Sequence, residues 1–392
     1  MMPSIGLLVL LTCGPVDSDV AESIIKFGLN GEKLYPARSE LRDPNTQALE
    51  VRWGFVDPAG KTVIEPVFGH VFWFSEGLAP ARPRGPEGAT EKWGFIDANG
   101  AFVIQPKYRI VGRFSGGLVS VSRDGKVWSF IDAKGKPLLA EAKTFHKACS
   151  FSEGLAAVAT AADKWGYIDA NGRYAISPRF ALGGPFTQGL ASVSTGGKLV
   201  ANVLPSEGKF GFVNAKGEMT IREQFAMAYP FTEGLAAVNV GGSSRGWFCV
   251  GGKWGFIDAN GATVIPAKFD WAWPFSEGMA AVNVGANTKS MGPEGGKWGF
   301  VDKGGQMVID PQYGDTLGFS EGLAAVNKGG TVGRGKVLGG KWGYLDIKGN
   351  LVIPFRFDDA GIFTRGLAEV EEDGVSKYID REGKVVWSAG GR

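Results

Sequence analysis

Two carboxylate positions recur along this chain often enough to raise the question of chemistry. The first is an aspartate closing a Trp-Gly-aromatic run, at Asp57, Asp97, Asp132, Asp169, Asp258, Asp302, Asp346 and Asp380. Some of these runs continue through an asparagine (Asn99, Asn171, Asn260) to glycine, a composition shared with calcium loops. A calcium loop brings several oxygen ligands to one point, whereas each turn here offers one carboxylate and at most one amide. Hairpin-turn chemistry explains both residues without a metal: Asp accepts backbone N–H bonds and Gly supplies the positive φ. The second position is the glutamate of Phe-Ser/Thr-x-Gly-Leu/Met, at Glu76, Glu153, Glu233, Glu277 and Glu321. Gly116, Gln188 and Arg365 take its place elsewhere. A carboxylate required for chemistry in every unit would not vary so freely, so a turn role is expected here too.

Other chemistry is sparse. The chain contains no Gly-x-Ser-x-Gly elbow, His-Glu-x-x-His pair or P-loop. Its two histidines, His70 and His146, fall in non-equivalent repeats and are expected to be loop or packing residues. Cys13, Cys149 and Cys249 form no CxxC, which leaves no Cys/His zinc set. Cys149 and Cys249 are expected to be separate free thiols. No catalytic residue, metal or cofactor is assigned. Lys plus Arg is 42 and Asp plus Glu 40, without a single-sign run, so nucleic acid is not a favoured partner.

The elements that carry these positions follow from internal repetition. Trp-Gly occurs at Trp53, Trp93, Trp165, Trp254, Trp298 and Trp342, with variants at Trp128 and Phe210 and a worn ninth copy at 376–380. The Phe-Ser/Thr motif begins at Phe74, Phe114, Phe151, Phe186, Phe231, Phe275, Phe319 and Phe363. The step from first motif to second is 21 residues in seven units and 23 in the other, while the return step ranges from 13 to 24. Each unit of about 40 residues therefore has a rigid part and an elastic part.

The rigid part reads as β-structure. Lys253–Asp258 is an aromatic and β-branched run, 259–261 a turn, and 262–265 a second run closed by Pro266. After a crossing segment, Met279–Val282 forms a third strand. A lone three-stranded meander is marginal. Stacking the units buries about 150–250 Å² per aromatic ring, with Trp53, Trp93, Trp128, Trp165, Phe210, Trp254, Trp298 and Trp342 as the repeat core. Gly255 leaves space for a neighbouring ring or backbone. Most of the 61 glycines in 392 residues, about twice the usual share, thus occupy periodic turn and close-packing positions.

The run KWGFIDANG…VIP…F…FSEGLAAV, best seen over Lys253–Val282, resembles the WG (KWG) repeat family. The resemblance spans about residues 51–387. It implies a β-rich tandem array, found mostly in bacterial proteins, with no catalytic activity or transferable catalytic residues. The expected fold is all-β: three-stranded antiparallel meanders stacked as an open solenoid or superhelix. The alternative is a closed propeller-like ring. Eight full meanders after an initial Trp-Gly hairpin sit awkwardly in a simple ring, which favours the open array.

Differences between units point to function. The crossing segments of two adjacent units carry Met227, Tyr229, Trp271 and Trp273, which could form one apolar patch of the kind that marks a partner surface. Packing beneath the adjacent loop is the competing reading. The long elastic loops 195–209, 239–253, 283–297 and 327–341 form a second candidate surface, bearing Arg245, Trp247, Phe248, Lys289, Met291, Arg334 and Lys336. Residues 1–20 read as a possible signal or lipoprotein leader ending near Cys13, residues 21–50 as a lead-in or cap, and 51–392 as the array. The expectation is a monomeric, non-enzymatic binding or scaffold protein of the cell envelope or periplasm that contacts a protein or polysaccharide. The alternatives are a purely structural spacer and a cytoplasmic location.

Overall fold

The computed structural model describes residues 33–42, 49–85, 92–139, 144–160, 164–196, 198–200, 204–206, 208–245, 248–290, 292–333 and 336–390. The possible leader and Cys13 lie outside these residues. All regular structure among them is β-strand.

The WG strand is the third of four in seven of the units. In the unit around Trp298, a short inner strand (Trp271–Ala272) pairs with Met279–Ser290, then Gly292–Asp302, then an outer strand, Met307–Tyr313. The crossing segment, read from sequence as a connection, supplies the inner strand. Seven blades share this order and an eighth lacks the outer strand; we number them along the chain. Blade 1 runs from the end of Thr62–Val71 through Ala79–Pro83 and Trp93–Ile96 to Phe102–Tyr108. Blade 2 comprises Ile110–Val111, Leu118–Ser122 and Ser129–Asp132, with a single bridge from Ile131 to Pro137 in place of an outer strand. Blades 3 to 8 begin at Lys147, Leu182, Met227, Trp271, Asp315 and Asp359.

The outer strand explains the glycine after each motif tryptophan. In blade 5, Trp254 pairs with Phe269 and Phe256 with Ile265, so the outer strand bulges between its two contacts. A Cβ on Gly255 would stand 2.5 Å from the Ile265 carbonyl oxygen and 2.6 Å from the Ala267 nitrogen. Only a residue without a side chain admits that bulge. Pro266 does not end the strand as the sequence suggested; it lies inside Thr263–Phe269, at the bulge. An outer edge tolerates a missing donor. In blade 2 the equivalent of Gly255 is Ser129, and there no continuous outer strand forms.

The array closes into a propeller, the alternative reading, rather than running open as a solenoid. Tyr35–Arg42 pairs with Leu49–Val56, which pairs with Thr62–Val71. This three-stranded sheet takes up the initial Trp-Gly hairpin and sits between blades 8 and 1. The described part of the expected lead-in is therefore a strand of the ring. Tyr378 Oη donates to the Pro36 carbonyl (2.8 Å) and Tyr35 Oη to that of Arg365 (2.5 Å). Tyr35, Ala37, Val56, Leu367 and Tyr378 share one apolar cluster. The contact of each hairpin turn with the preceding outer strand also continues across the closure. A Cβ at Gly305 would touch Ile265, and one at Gly60 would strike Val386 of blade 8. Burial explains closure: the apolar faces of the first and last sheets cover each other instead of water.

The motif aromatics fill the spaces between blades. Trp128, Trp165, Phe210, Trp254, Trp298 and Trp342 are buried, while Trp53 and Trp93 are half-buried. Phe256 packs on Phe275 with ring centroids 4.8 Å apart, and the pairs Phe212–Phe231 and Phe300–Phe319 repeat that spacing.

Candidate functional site

Antiparallel alternation places two kinds of turn on opposite faces of the ring. Links between strands one and two, and between three and four, share one face. Links between strands two and three lie on the other.

On the first face, each recurring aspartate is spent on its own turn. Asp258 Oδ1 accepts from Asn260 N (2.9 Å) and Ala262 N (2.8 Å), and Asp57, Asp97, Asp132, Asp169, Asp302, Asp346 and Asp380 repeat the pattern. These bonds hold the carboxyl of Asp97 below the usual range, with the Ala101 N–H as the largest cause. The glutamates do something the sequence did not reveal. Glu76, Glu153, Glu233, Glu277, Glu321 and their equivalents Gln188 and Arg365 all have φ between 51° and 58°. From that left-handed position each Glu carboxylate crosses to the next blade and accepts two backbone N–H bonds. Glu233 binds the amides of Glu277 and Gly278, Glu277 those of Glu321 and Gly322, and Glu321 those of Arg365 and Gly366, at 2.5–2.9 Å. Glu76 binds Gly116 and Gly117, and Glu153 binds Gln188 and Gly189. The Gln188 amide oxygen accepts from Gly234 alone (2.9 Å). The motif serine adds a bond across the same seams: Ser75, Ser152, Ser276 and Ser320 donate to the carbonyls of Phe114, Phe186, Phe319 and Phe363 at 2.6–2.8 Å. The recurring carboxylate is thus a latch between blades.

On the opposite face, blades 4 to 7 raise their loops into hairpins. Blade 4 contributes Lys198–Val200 and Leu204–Ser206; blade 5, Ser243–Arg245 and Phe248–Val250. Blade 6 prolongs its second and third strands, and blade 7 adds Thr331–Gly333 with Lys336–Leu338. The hairpins touch in series. Ser206 pairs with Arg245, Gly251 N donates to Thr288 O (2.8 Å), and Gly292–Asp302 packs against Thr331–Gly333. Blades 2 and 8 cross the same face by short turns.

In blades 5 to 7 a buried asparagine holds the base of the hairpin, where blade 4 has Ser194. Asn239, Asn283 and Asn327 have no exposed surface, and their Nδ2 groups donate to the carbonyls of Gly251, Gly295 and Gly339 at 3.1–3.3 Å. Asn239 and Asn327 also accept, from the amides of Gly242 and Gly330. The far side of each base is a diglycine at φ of 68–74°, and a Cβ on Gly252, Gly296 or Gly340 would lie 2.2–2.3 Å from the asparagine oxygen. In blade 2 the equivalent residue is Ser122, whose shorter hydroxyl donates to Val127 O and accepts from Gly125 N, closing the loop at once.

The predicted aromatic patch is contiguous but turned inward. Tyr229 stacks on Trp254 (4.9 Å), Trp254 meets Trp271 (5.1 Å), and Trp273 stacks on Trp298 (5.8 Å). Met227, Tyr229 and Trp271 are buried and Trp273 half-buried, so the competing reading of packing is the one their positions fit. Burial pushes the Tyr229 hydroxyl well above its ordinary pKa. Trp247 lies outside the described residues. Phe248 pairs with Arg245 at a hairpin tip. Lys289 and Lys336 are exposed on the hairpins, while Met291 and Arg334 lie outside the described residues. His70 packs among Trp53, Phe72 and Trp93, and His146 is exposed in blade 3. Cys249 is a buried free thiol whose pKa burial pushes up to about 12; Cys149 is disulfide-bonded, so the expected pair of free thiols is not what forms.

Seven segments match the model of the WG containing repeat: 53–82, 93–126, 165–198, 210–243, 254–287, 298–331 and 342–375. The units at Trp128 and 376–380 are not among them. No curated protein matches the chain. Among solved structures, one described as a eukaryotic initiation factor aligns with TM-score 0.54 at 12% identity, covering 90% of this chain and 96% of the other. At that identity the likeness is one of fold alone. Apo AztD from Citrobacter koseri aligns at TM-score 0.39, 14% identity and coverages of 81% and 92%; BamB from Moraxella catarrhalis aligns at 0.35, 11% and 92% of each chain.

Proposed function

The chain belongs to the family of WG-containing repeat proteins, and from that premise we propose that it works without catalysis, as a rigid scaffold that binds a partner through the hairpin wall of blades 4 to 7. The observation that carries this reading is the asymmetry of one face. Four adjacent blades raise loops that the ring itself does not need, and three of them, blades 5 to 7, spend buried asparagines and strained diglycines on it. Insertions confined to one face of a repeat protein are where recognition concentrates. The wall offers exposed Val240, Val284 and Leu338 beside Lys289 and Lys336, a mixed surface suited to a protein or polysaccharide of the cell envelope.

The direct test replaces residues 285–295 and 329–339 by a blade 2-type turn and measures partner capture from envelope extracts. Loss of capture with an unchanged melting temperature supports the wall as the binding surface. Capture equal to wild type sinks it. One observation favours a second reading, that of a structural spacer: the aromatic patch that looked most like a ligand surface is packed into the core.

A further inference from the structure

The latches do not run evenly around the ring. At the seam between blades 2 and 3, the position that should supply the carboxylate is Gly116. The receiving turn is nevertheless built like the others: Glu153 has φ 51° and Gly154 φ 79°, against 56° and 81° for the latched Glu277 and Gly278. Where those two amides receive the Glu233 carboxylate, the amides of Glu153 and Gly154 have no protein acceptor among the described residues. Both residues are exposed, and a Cβ on Gly116 or Gly154 would meet nothing within 4 Å. The serine latch is missing at the same seam, since the hydroxyl of Ser115 makes no bond like that of Ser75 to Phe114. Arg113, half-buried on the inner-strand side of this motif, places a cation three residues before Gly116.

We propose that the paired amides of Glu153 and Gly154, facing Gly116 across the seam between blades 2 and 3, form a binding site for a carboxylate from outside the fold. The argument is internal. Five turns of the same backbone shape in this chain each hold a carboxylate with two short N–H bonds. Charge-assisted bonds of this kind are the stronger class of hydrogen bond. The turn of Glu153 and Gly154 keeps the donors, and the sequence removes the side chain that would satisfy them. The ligand is therefore a carboxylate with room for a short aliphatic stem, either a small free acid or a glutamate side chain of a partner.

Propionate reproduces the end of a glutamate side chain and serves as the probe. In amide-resolved NMR of the full chain, propionate titration should shift the Glu153 and Gly154 resonances saturably, and propionamide should not. Glu277 and Gly278, already latched, are the internal control and should stay in place. In Gly116→Glu the chain supplies its own carboxylate, so the propionate shift should be lost. That variant should fold, because glutamate holds this backbone conformation in five other blades. A blocked tripeptide with one central glutamate separates the sources: tighter binding than propionate marks a protein side chain, and weaker binding a free acid. No saturable shift at Glu153 and Gly154, or an equal shift in Gly116→Glu, overturns the proposal.

Discussion

Blades 5 to 7 and blade 2 share the order of their first three strands, and three of the residues at which they differ separate the reinforced side of the ring from its plain side. Blades 5 to 7 have glycine after the motif tryptophan, asparagine at the end of the second strand and glutamate in the left-handed turn. Blade 2 has Ser129, Ser122 and Gly116. The first group makes a continuous bulged outer strand, a tall hairpin and a two-bond latch; blade 2 makes a bridge, a tight turn and no latch to blade 3. A propeller built of near-identical units is therefore not uniform. Its stiffness and its surface relief are set unit by unit through side chains that touch backbone.

The largest expected effect breaks the outer strand. Gly255→Ala drives a Cβ into the Ile265 carbonyl and should cost about 3 kcal/mol, read from chemical denaturation. Ser129→Ala in blade 2 should be nearly silent, because no continuous outer strand presses there; an equal loss would mean the bulge is not the cause. Next is the hairpin base. Asn327→Ala removes a fully buried amide and strands the Gly330 N–H and Gly339 C=O, for a loss of about 2 kcal/mol. Protection of the Thr331–Leu338 amides against hydrogen exchange should fall with it.

The latches give effects of opposite sign. Glu277→Ala should destabilise the ring by about 1–2 kcal/mol, discounted because the carboxylate is only partly buried. Gly116→Glu should stabilise by about 1 kcal/mol through the bonds it restores. A drop in melting temperature for Gly116→Glu would show that the seam is held apart for another reason. The smallest effect is acid sensitivity. Backbone N–H groups lower the carboxyl pKa of Asp97 and Asp169, and Asn350 leads the cause at Asp346. A depressed folded-state pKa stabilises above the unfolded value near 3.9, and that gain is lost as pH falls through the folded pKa. Stability should therefore decline below about pH 4. Asp97→Asn, which copies the non-titrating Asn214 of blade 4, should flatten the decline slightly.

Much of the blade is legible in the chain. The Asp-x-x-Gly turns, the apolar WG strand and the glycine that admits a neighbouring backbone all follow from spacing, because each acts within a few residues. The inner strand escaped because Trp271–Ala272 is two residues long and carries no periodicity. The proline misled because an edge bulge and a strand exit leave the same trace in sequence. Glutamate latches have a sequence signal, the recurrence of Glu before Gly, but their donor lies 44 residues away and its identity is backbone. The aromatic residues named from sequence do lie in one cluster, but the direction they face depends on which side of the inner strand meets the next blade. Asn239, Asn283 and Asn327, each followed by a diglycine 12 or 13 residues on, are the overlooked signal for the hairpin wall.

By itself the sequence determined the repeating unit, its turns and the residues that fill the space between units, since these depend on local periodicity and on contacts one repeat apart. Closure was decided only in three dimensions. It rests on the bonds of Tyr35 and Tyr378, which join residues 330 and 342 positions apart. Whether such residues meet depends on the inter-blade rotation summed over the whole array. A small change in that rotation, set by side-chain packing at every seam, separates a ring from a helix.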